Sequence, residues 1–244
     1  MSRETVSILT PTYNRRKYIP TLIDCYKNQK YPKHLMEWII VDDGEDSVED
    51  LFKGVEGVRY YRYEEKLKLG KKRNLLHSLA KNDIIVYMDD DDYYPPERVS
   101  HAVFRLNARK VDMAGSSLMY MYFTHIDKLC TVGPYGHYHA TAGTFAFRRK
   151  LLKECSYEDD AECSEERHFL KGYTIPMVQL DPLKTILVIS HNSNTFDKKK
   201  LIGNETQYKM KMLNMSLKSY LKQIKNKRIY PKLKKFYDLV KNEK

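Results

Sequence analysis

No apolar run in the chain approaches the ~18 residues needed to cross a bilayer, and residues 1–14 (MSRETVSILTPTYN) lack the apolar stretch of a secretory signal. A cytoplasmic protein is the expectation. Cysteine is sparse, and Cys25, Cys130, Cys155 and Cys163 contain no CxxC pair, which argues against a zinc knot. Without an export signal, Cys155 and Cys163 are expected to be free thiols rather than a bridge. No internal repeat and no low-complexity linker divides the chain. Tryptophan occurs once but tyrosine 20 times, and tyrosine suits half-buried surfaces and rings that stack on ligands.

At 244 residues the chain is long enough for one large domain or two small ones. The net charge of +11 is not a property of the whole chain. Residues 198–244 hold 15 Lys and Arg against three acids, so the remainder is close to neutral. Residues 1–197 therefore read as a body and 198–244 as a basic helical extension.

In the first hundred residues, short β-branched runs alternate with helix-compatible segments. VSILT (6–10), EWIIVDD (37–43), VRYYRY (58–63) and DIIVYMD (83–89) read as buried strands, with helices over 17–28, 47–53 and 71–81. This alternation predicts an α/β fold with a doubly wound, mostly parallel sheet and helices on both faces. From 111 to 179, short strands rich in tyrosine and glycine predict a mixed half. Ser164 is placed to cap a short helix, EERHFLKG, that Gly172 ends. TILVIS (185–190) reads as a last strand. Beyond Gly203, Met210, Leu213, Leu217 and Leu221 stand near helical spacing, and Pro231 precedes a second short helix.

Polar clusters fall at three strand ends: TPTYNR (10–15), DDG (42–44) and DDDD (89–92). Ligands bind at the carboxyl ends of strands in parallel sheets. Four consecutive carboxylates repel one another unless neutralised, and a hard divalent cation, Mg²⁺ or Mn²⁺, prefers such oxygens. The alternative is a solvated acidic turn, with Pro95 and Pro96 opening a helix. KLGKKRN (68–74) is a matching positive element: Lys71, Lys72 and a helix start near Gly70 favour an anion.

These clusters, in this order and followed by SEERHFLKGY, resemble glycosyltransferase family 2, inverting enzymes with the GT-A fold. The resemblance covers about residues 4–190. It implies a Rossmann-like sheet, a mixed acceptor-side half and a metal-dependent transfer from a nucleotide-sugar, a UDP- or GDP-sugar above others. It places Pro11, Thr12 and Tyr13 against base and ribose, with Asn14 and Arg15 beside them. Asp43, with Asp42 adjacent, faces the base, and Arg73 stands near the nucleotide, where the charge of Lys72 would add to it near the diphosphate. Of the family's aspartate–any–aspartate motif, Asp89 and Asp90 fall toward the donor and Asp91 on the metal, while the extra acid leaves Asp92 to share it. Late histidines ligate metal in some GT-A enzymes, which marks His191. An inverting transfer needs a general base. The family's usual aspartate is replaced here by Glu166 or Glu165. His137 and His139 fall where an acceptor or sugar lies, and the small residues Ala142, Gly143 and Thr144 where the backbone approaches the donor.

The extension has no recognised nucleic-acid module, so a nucleic acid is not expected. A helix face packed on the body or on a second subunit as a homodimer, or a peripheral contact with anionic lipid, are its readings. The acceptor class implied is a glycan, a lipid-linked acceptor or a protein glycan. Rival functions are a nucleotidyltransferase and a non-enzymatic binding protein that acts through the tail.

Overall fold

A computed structural model describes residues 4–162, 165–224 and 229–241. Ser164, expected to cap a helix, and Cys163 lie outside the described residues. Cys25, Cys130 and Cys155 are buried free thiols.

β1 (Val6–Thr12), β2 (Met36–Asp42), β3 (Val58–Arg62) and β4 (Ile84–Tyr87) form the parallel part of a seven-stranded sheet. Three short strands complete it: β5 (Met113–Gly115), β8 (Ala146–Arg148) and β9 (Met177–Gln179), in the order β3-β2-β1-β4-β8-β5-β9. β8 runs antiparallel to both β4 and β5, so the strand direction reverses beside β4. A second sheet, β10-β6-β7-β11, is built from β6 (Met119–Phe123), β7 (Lys128–Val132), β10 (Leu187–Ser190) and β11 (Met210–Leu213).

Successive residues of a strand point to opposite faces. Ile84 and Val86 accordingly pack on one side with α1 (Ile19–Lys27) and α3 (Arg98–Arg109), and Ile85 and Tyr87 on the other with α2 (Leu69–Leu79). Both faces of β4 are thus covered, which is why its sequence is an unbroken apolar run. The single tryptophan ties three strands together. Trp38 Nε1 donates to Thr10 Oγ1 at 2.9 Å, and that hydroxyl donates to the Met88 carbonyl at 2.6 Å, fixing the chain just before the aspartates.

Two expectations are corrected. Residues 47–53 do not form an α-helix; a short 3-10 turn spans Glu49–Phe52. Met210–Leu213 is β11, antiparallel to β7, rather than the first turn of a helix. Its side chains are too few to distinguish strand from helix by period, and the exposed edge of β7 decides the matter by offering backbone partners. The helices of the extension are α5 (Leu217–Gln223) and α6 (Tyr230–Lys241), with Pro231 in the first turn of α6, where its missing N–H costs nothing. Leu217, Tyr220, Leu221 and Tyr237 are buried in the same core as the second sheet, while Lys218 and Lys222 are exposed. Among the described residues no helix is long and apolar enough to cross a membrane.

Leu221→Ala is expected to lower stability by about 2–5 kcal/mol in urea denaturation, because a fully buried leucine leaves a cavity. Lys222→Ala, on the solvated face, is expected to change it by no more than about 0.5 kcal/mol. Equal effects would show that the extension is not packed on the body.

Candidate active site

β1, β2 and β4 are parallel, so their carboxyl ends open on one edge of the sheet. A cavity of about 750 Å³ lies there, lined by Pro11, Thr12, Tyr13, Arg15, Lys72, Arg73, the four aspartates and Glu166. The second sheet closes its other side with Met119, Met121 and Val188. A cavity of about 740 Å³ beside Asp83, before β4, holds basic side chains (Arg148, Arg149, Lys150 and Lys153) and none of the expected site residues.

α2 carries the fixed positive charge. Arg73 is buried; its Nε donates to Glu165 Oε1 at 2.8 Å, its Nη1 reaches Asp89 Oδ1 at 3.3 Å, and its guanidinium lies 4.8 Å from the centre of the Tyr87 ring. Burial works against that charge, but Asp89 and Glu165 outweigh it and hold the guanidinium pKa well above its ordinary value. Lys72 is buried too, donating to Asp43 Oδ1 and, at 3.1 Å, to the Thr12 carbonyl. Burial pulls its pKa below the usual lysine value although Asp43 opposes the shift. The first-turn N–H groups of α2 are not left open for an anion, as the sequence reading expected. Gly70 N–H donates to the Ala161 carbonyl at 3.0 Å and Lys71 N–H to that of Asp159 at 3.2 Å. Lys71 itself points to solvent.

The aspartates occupy four different environments. Asp89 faces Arg73, and its backbone N–H donates to Tyr94 Oη at 2.7 Å. Gly143 is small for a reason: a Cβ there would lie 2.7 Å from Asp89 Oδ2. Asp90 and Asp91 each lie 3.7 Å from Arg15 Nε, a buried donor with no hydrogen-bond partner among the described residues. Burial, and then the Asp91 charge, push Asp90 up to about 7. Asp91 accepts from Asn194 Nδ2 and lies against His191 Nε2, both at 3.1 Å. Burial opposes its ionisation, yet Lys198, His191 and Arg15 together hold it below the usual carboxylate range. One oxygen of Asp92 accepts the Ile189 N–H at 2.8 Å, and burial raises that carboxyl well above its ordinary value.

His191 is held by Tyr18 Oη, 2.8 Å from Nδ1, and burial lowers its pKa, keeping the imidazole neutral. The Phe236 ring of α6 meets Tyr18 edge-on at 5.4 Å, so the extension buttresses this histidine. Among the described residues no three His, Cys, Asp or Glu side chains are arranged to hold a metal ion. Asp91 and the neutral His191 nonetheless present an oxygen and a nitrogen within 3.1 Å of each other. Two such ligands fit Mn²⁺ or Mg²⁺ when substrate phosphates complete the coordination.

α4 (Glu166–Phe169) separates the two glutamates. Glu165 is 6% exposed and engaged by Arg73, whereas Glu166 lines the cavity. Burial, and then the neighbouring Glu165 charge, raise the Glu166 pKa above its ordinary value.

Of the expected site residues, Asn14, Asp42, Asp43, Glu165 and His191 do not line the cavity, though Asp43, Glu165 and His191 hold Lys72, Arg73 and Asp91, which do. Asn14 has φ +53° and accepts the Glu45 N–H at 2.7 Å. Asp42 accepts the N–H groups of Gly44 at 2.9 Å and Val48 at 3.2 Å, so it shapes its own turn. Asp43 anchors Lys72 and accepts the Leu67 N–H at 2.7 Å. Three residues escaped the sequence reading: Asn194, Tyr18 and Lys198. Asn194 stands three residues after His191, a spacing that signals a turn, and its Oδ1 accepts the His191 N–H at 2.8 Å. Lys198, first of a lysine run, instead donates to the Ile189 carbonyl at 3.1 Å.

Residues 7–124 match Glycosyl transferase family 2. That match covers just under half of the chain, and over this segment the chain is similar to glycosyltransferase family 2. The poly(ribitol-phosphate) β-N-acetylglucosaminyltransferase TarS of Staphylococcus aureus is 29% identical over 44% of this chain and 20% of its own length, so the chain spans about a fifth of that relative. The solved structure of TarS residues 1–349 with UDP-GlcNAc superposes with a TM-score of 0.63 at 19% identity, covering 78% of this chain and 60% of that one. The mannosyltransferase PcManGT of Pyrobaculum calidifontis, solved with GDP-Man and Mn²⁺, gives 0.64 at 16% identity over 97% and 68%. At these identities the structures establish the fold alone, which is GT-A.

Arg73→Met is expected to cost about 3–5 kcal/mol in denaturant titration, since it leaves Glu165 and Asp89 without a counter-charge. A loss below about 1 kcal/mol would mean that Arg73 does not hold the two acids in place.

Proposed function

We propose that this protein is an inverting, metal-dependent glycosyltransferase that moves a sugar from a UDP- or GDP-sugar to the hydroxyl of a glycan or lipid-linked acceptor. The observation that carries the reading is one cavity with Pro11–Arg15 and Arg73 on one side, Asp89–Asp92 at its base and Glu166 facing in. The donors printed for the solved structures, UDP-GlcNAc for TarS and GDP-Man for PcManGT, support a nucleotide-sugar of that kind.

In this reading Pro11, Thr12 and Tyr13 take the base and ribose. The Tyr13 ring already lies 4.4 Å from Lys66 Nζ and 5.8 Å from Lys72 Nζ, in a positive surrounding suited to a nucleotide. Arg15 and Lys198 face the diphosphate, and Asp89 faces the ribose and sugar. Asp91 and His191, with Asp92 as the further carboxylate, would hold Mn²⁺ or Mg²⁺, which supplies charge stabilisation to the departing diphosphate. Glu166 takes the proton of the acceptor hydroxyl. The acceptor oxygen bonds to the anomeric carbon, the bond to the phosphate oxygen breaks on the opposite face, and its electron pair leaves with the nucleoside diphosphate. Inversion follows from that single displacement. A carboxyl raised by burial is a stronger base than an exposed one, and Glu165, tied to Arg73, is the poorer candidate. The extension is proposed to stay on the body or to meet anionic lipid from the cytoplasmic side. A nucleotidyltransferase would release pyrophosphate instead.

Glu166→Gln is expected to lower kcat by about 10²–10⁴-fold with the donor KM held within a few-fold, read as nucleoside diphosphate released from UDP- and GDP-sugars with Mn²⁺. Because the base must be ionised, wild-type rates fall as pH drops, and that inflection lies above the 4.5 of an ordinary glutamate. Pyrophosphate as product, or an unchanged kcat in Glu166→Gln, would refute the assignment.

A further inference from the structure

The cavity of about 740 Å³ beside Asp83 lies at the amino end of β4, whereas the aspartate cluster follows its carboxyl end. The nucleotide-sugar reading leaves it without a role, and the two cavities share no lining residue. It is set between the end of α2, which contributes His77 and Ser78, and the segment from the end of β8, which contributes Arg148, Arg149, Lys150 and Lys153. Its volume falls within the roughly 300–1,000 Å³ of small-molecule sites. Four cations within six residues repel one another, and the structure relieves two of them. Arg148 donates to Glu4 and to Asn107 Oδ1, and Lys150 Nζ pairs with Asp112 Oδ1 at 3.0 Å.

Arg149 and Lys153 remain. The Arg149 N–H donates to the Asp83 carbonyl at 2.9 Å and its Nε to the Asn82 carbonyl at 3.1 Å, which pins the side chain to the turn before β4. Its two terminal nitrogens, and Lys153 Nζ, have no partner among the described residues. An unpaired guanidinium and an unpaired ammonium on one cavity wall suit a phosphate, and the planar guanidinium can meet two of its oxygens at once. The rest of the wall narrows the class. The exposed Asp83 carboxylate, which accepts from Thr5 Oγ1 at 2.9 Å, would repel a second phosphate but accept hydroxyl groups. Ser78 Oγ donates to the Leu75 carbonyl at 2.7 Å and keeps its lone pairs for a further hydroxyl. Among the described residues no Tyr, Phe or Trp lines the cavity, so a nucleobase would find no ring to stack on. The apolar contribution, Ala80 and Leu152, is too small for an acyl chain.

We propose that this basic cavity is a second ligand site, separate from the donor cavity, and that it takes a sugar phosphate. The phosphate lies between Arg149 and Lys153, and the sugar hydroxyl groups meet Asp83 and Ser78. Arg148 and Lys150, tethered to acids of their own, add to the field without being freed for the ligand. Because both ligating cations are exposed, binding is of moderate strength and is screened by salt.

The test is calorimetric titration of the full chain at low ionic strength. The probes are inorganic phosphate and the phosphate esters of glucose, mannose and N-acetylglucosamine, phosphorylated at the anomeric or the primary hydroxyl. At least one ester is expected to bind about fivefold or more tighter than inorganic phosphate, and to weaken as salt is raised. Arg149→Ala and Lys153→Ala are each expected to weaken that ester about fivefold or more, and Asp83→Asn to remove its advantage over inorganic phosphate. Stabilisation by UDP or GDP with Mn²⁺ should match wild type in all three variants. The proposal is overturned if no ester binds, if inorganic phosphate binds as tightly as every ester, or if Arg149→Ala and Lys153→Ala bind as wild type does. It is also overturned if phosphatidylglycerol vesicles, and none of the esters, are retained through Arg149 and Lys153, since a lipid headgroup would then be the ligand.

Discussion

Four carboxylates in sequence at the end of a buried strand repel one another, and much of the surrounding architecture can be derived from how that repulsion is relieved. Arg73 takes Asp89, Arg15 stands between Asp90 and Asp91, and the Ile189 N–H takes Asp92. Relief is incomplete. Burial keeps Asp89, Asp90 and Asp92 above the ordinary carboxylate range, while Asp91 is held below it. A cluster left with this imbalance favours a further cation, and the donor's diphosphate would supply the remaining ligands for it.

The fold positions these charges by strand polarity. β1, β2 and β4 point the same way, so their polar ends meet at one edge, and the reversal at β8 brings Gly143 against Asp89. The second sheet then closes the cavity from the other side, and the extension completes that sheet through β11. A chain of contacts runs from α6 through Phe236 and Tyr18 to His191 and Asp91. The basic extension therefore supports the acid cluster as well as carrying the surplus charge.

How much of this was legible depended on how local the signal was. The four parallel strands are continuous apolar runs, and the structure has them within about two residues of the expected ends, because burial on both faces leaves no ambiguity of period. Strand-end position and family resemblance together single out Thr12, Tyr13, Arg15, Arg73 and Asp89–Asp92, and the fold brings them into one cavity. What could not be read was set by distant partners. The N–H groups of α2 look open in sequence, but the loop at 159–161 occupies them. Glu165 and Glu166 are equivalent in sequence, and it is Arg73, 92 positions away from Glu165, that gives them different surroundings. Lys198 is one of three consecutive lysines, and nothing local distinguishes the one that turns inward. Met210–Leu213 fits helical spacing, and it is the edge of β7 that makes it a strand.

The central claim is that the acid cluster and the nucleotide hold a divalent cation jointly. Calorimetric titration of UDP and GDP into the wild-type chain and Asp91→Asn, each with and without Mn²⁺, tests it directly. The account predicts that Mn²⁺ tightens binding of one of the two nucleotides at least tenfold in wild type, and that Asp91→Asn loses this gain while keeping the metal-free affinity. Equal affinity with and without Mn²⁺ in wild type, or an undiminished gain in Asp91→Asn, would contradict it.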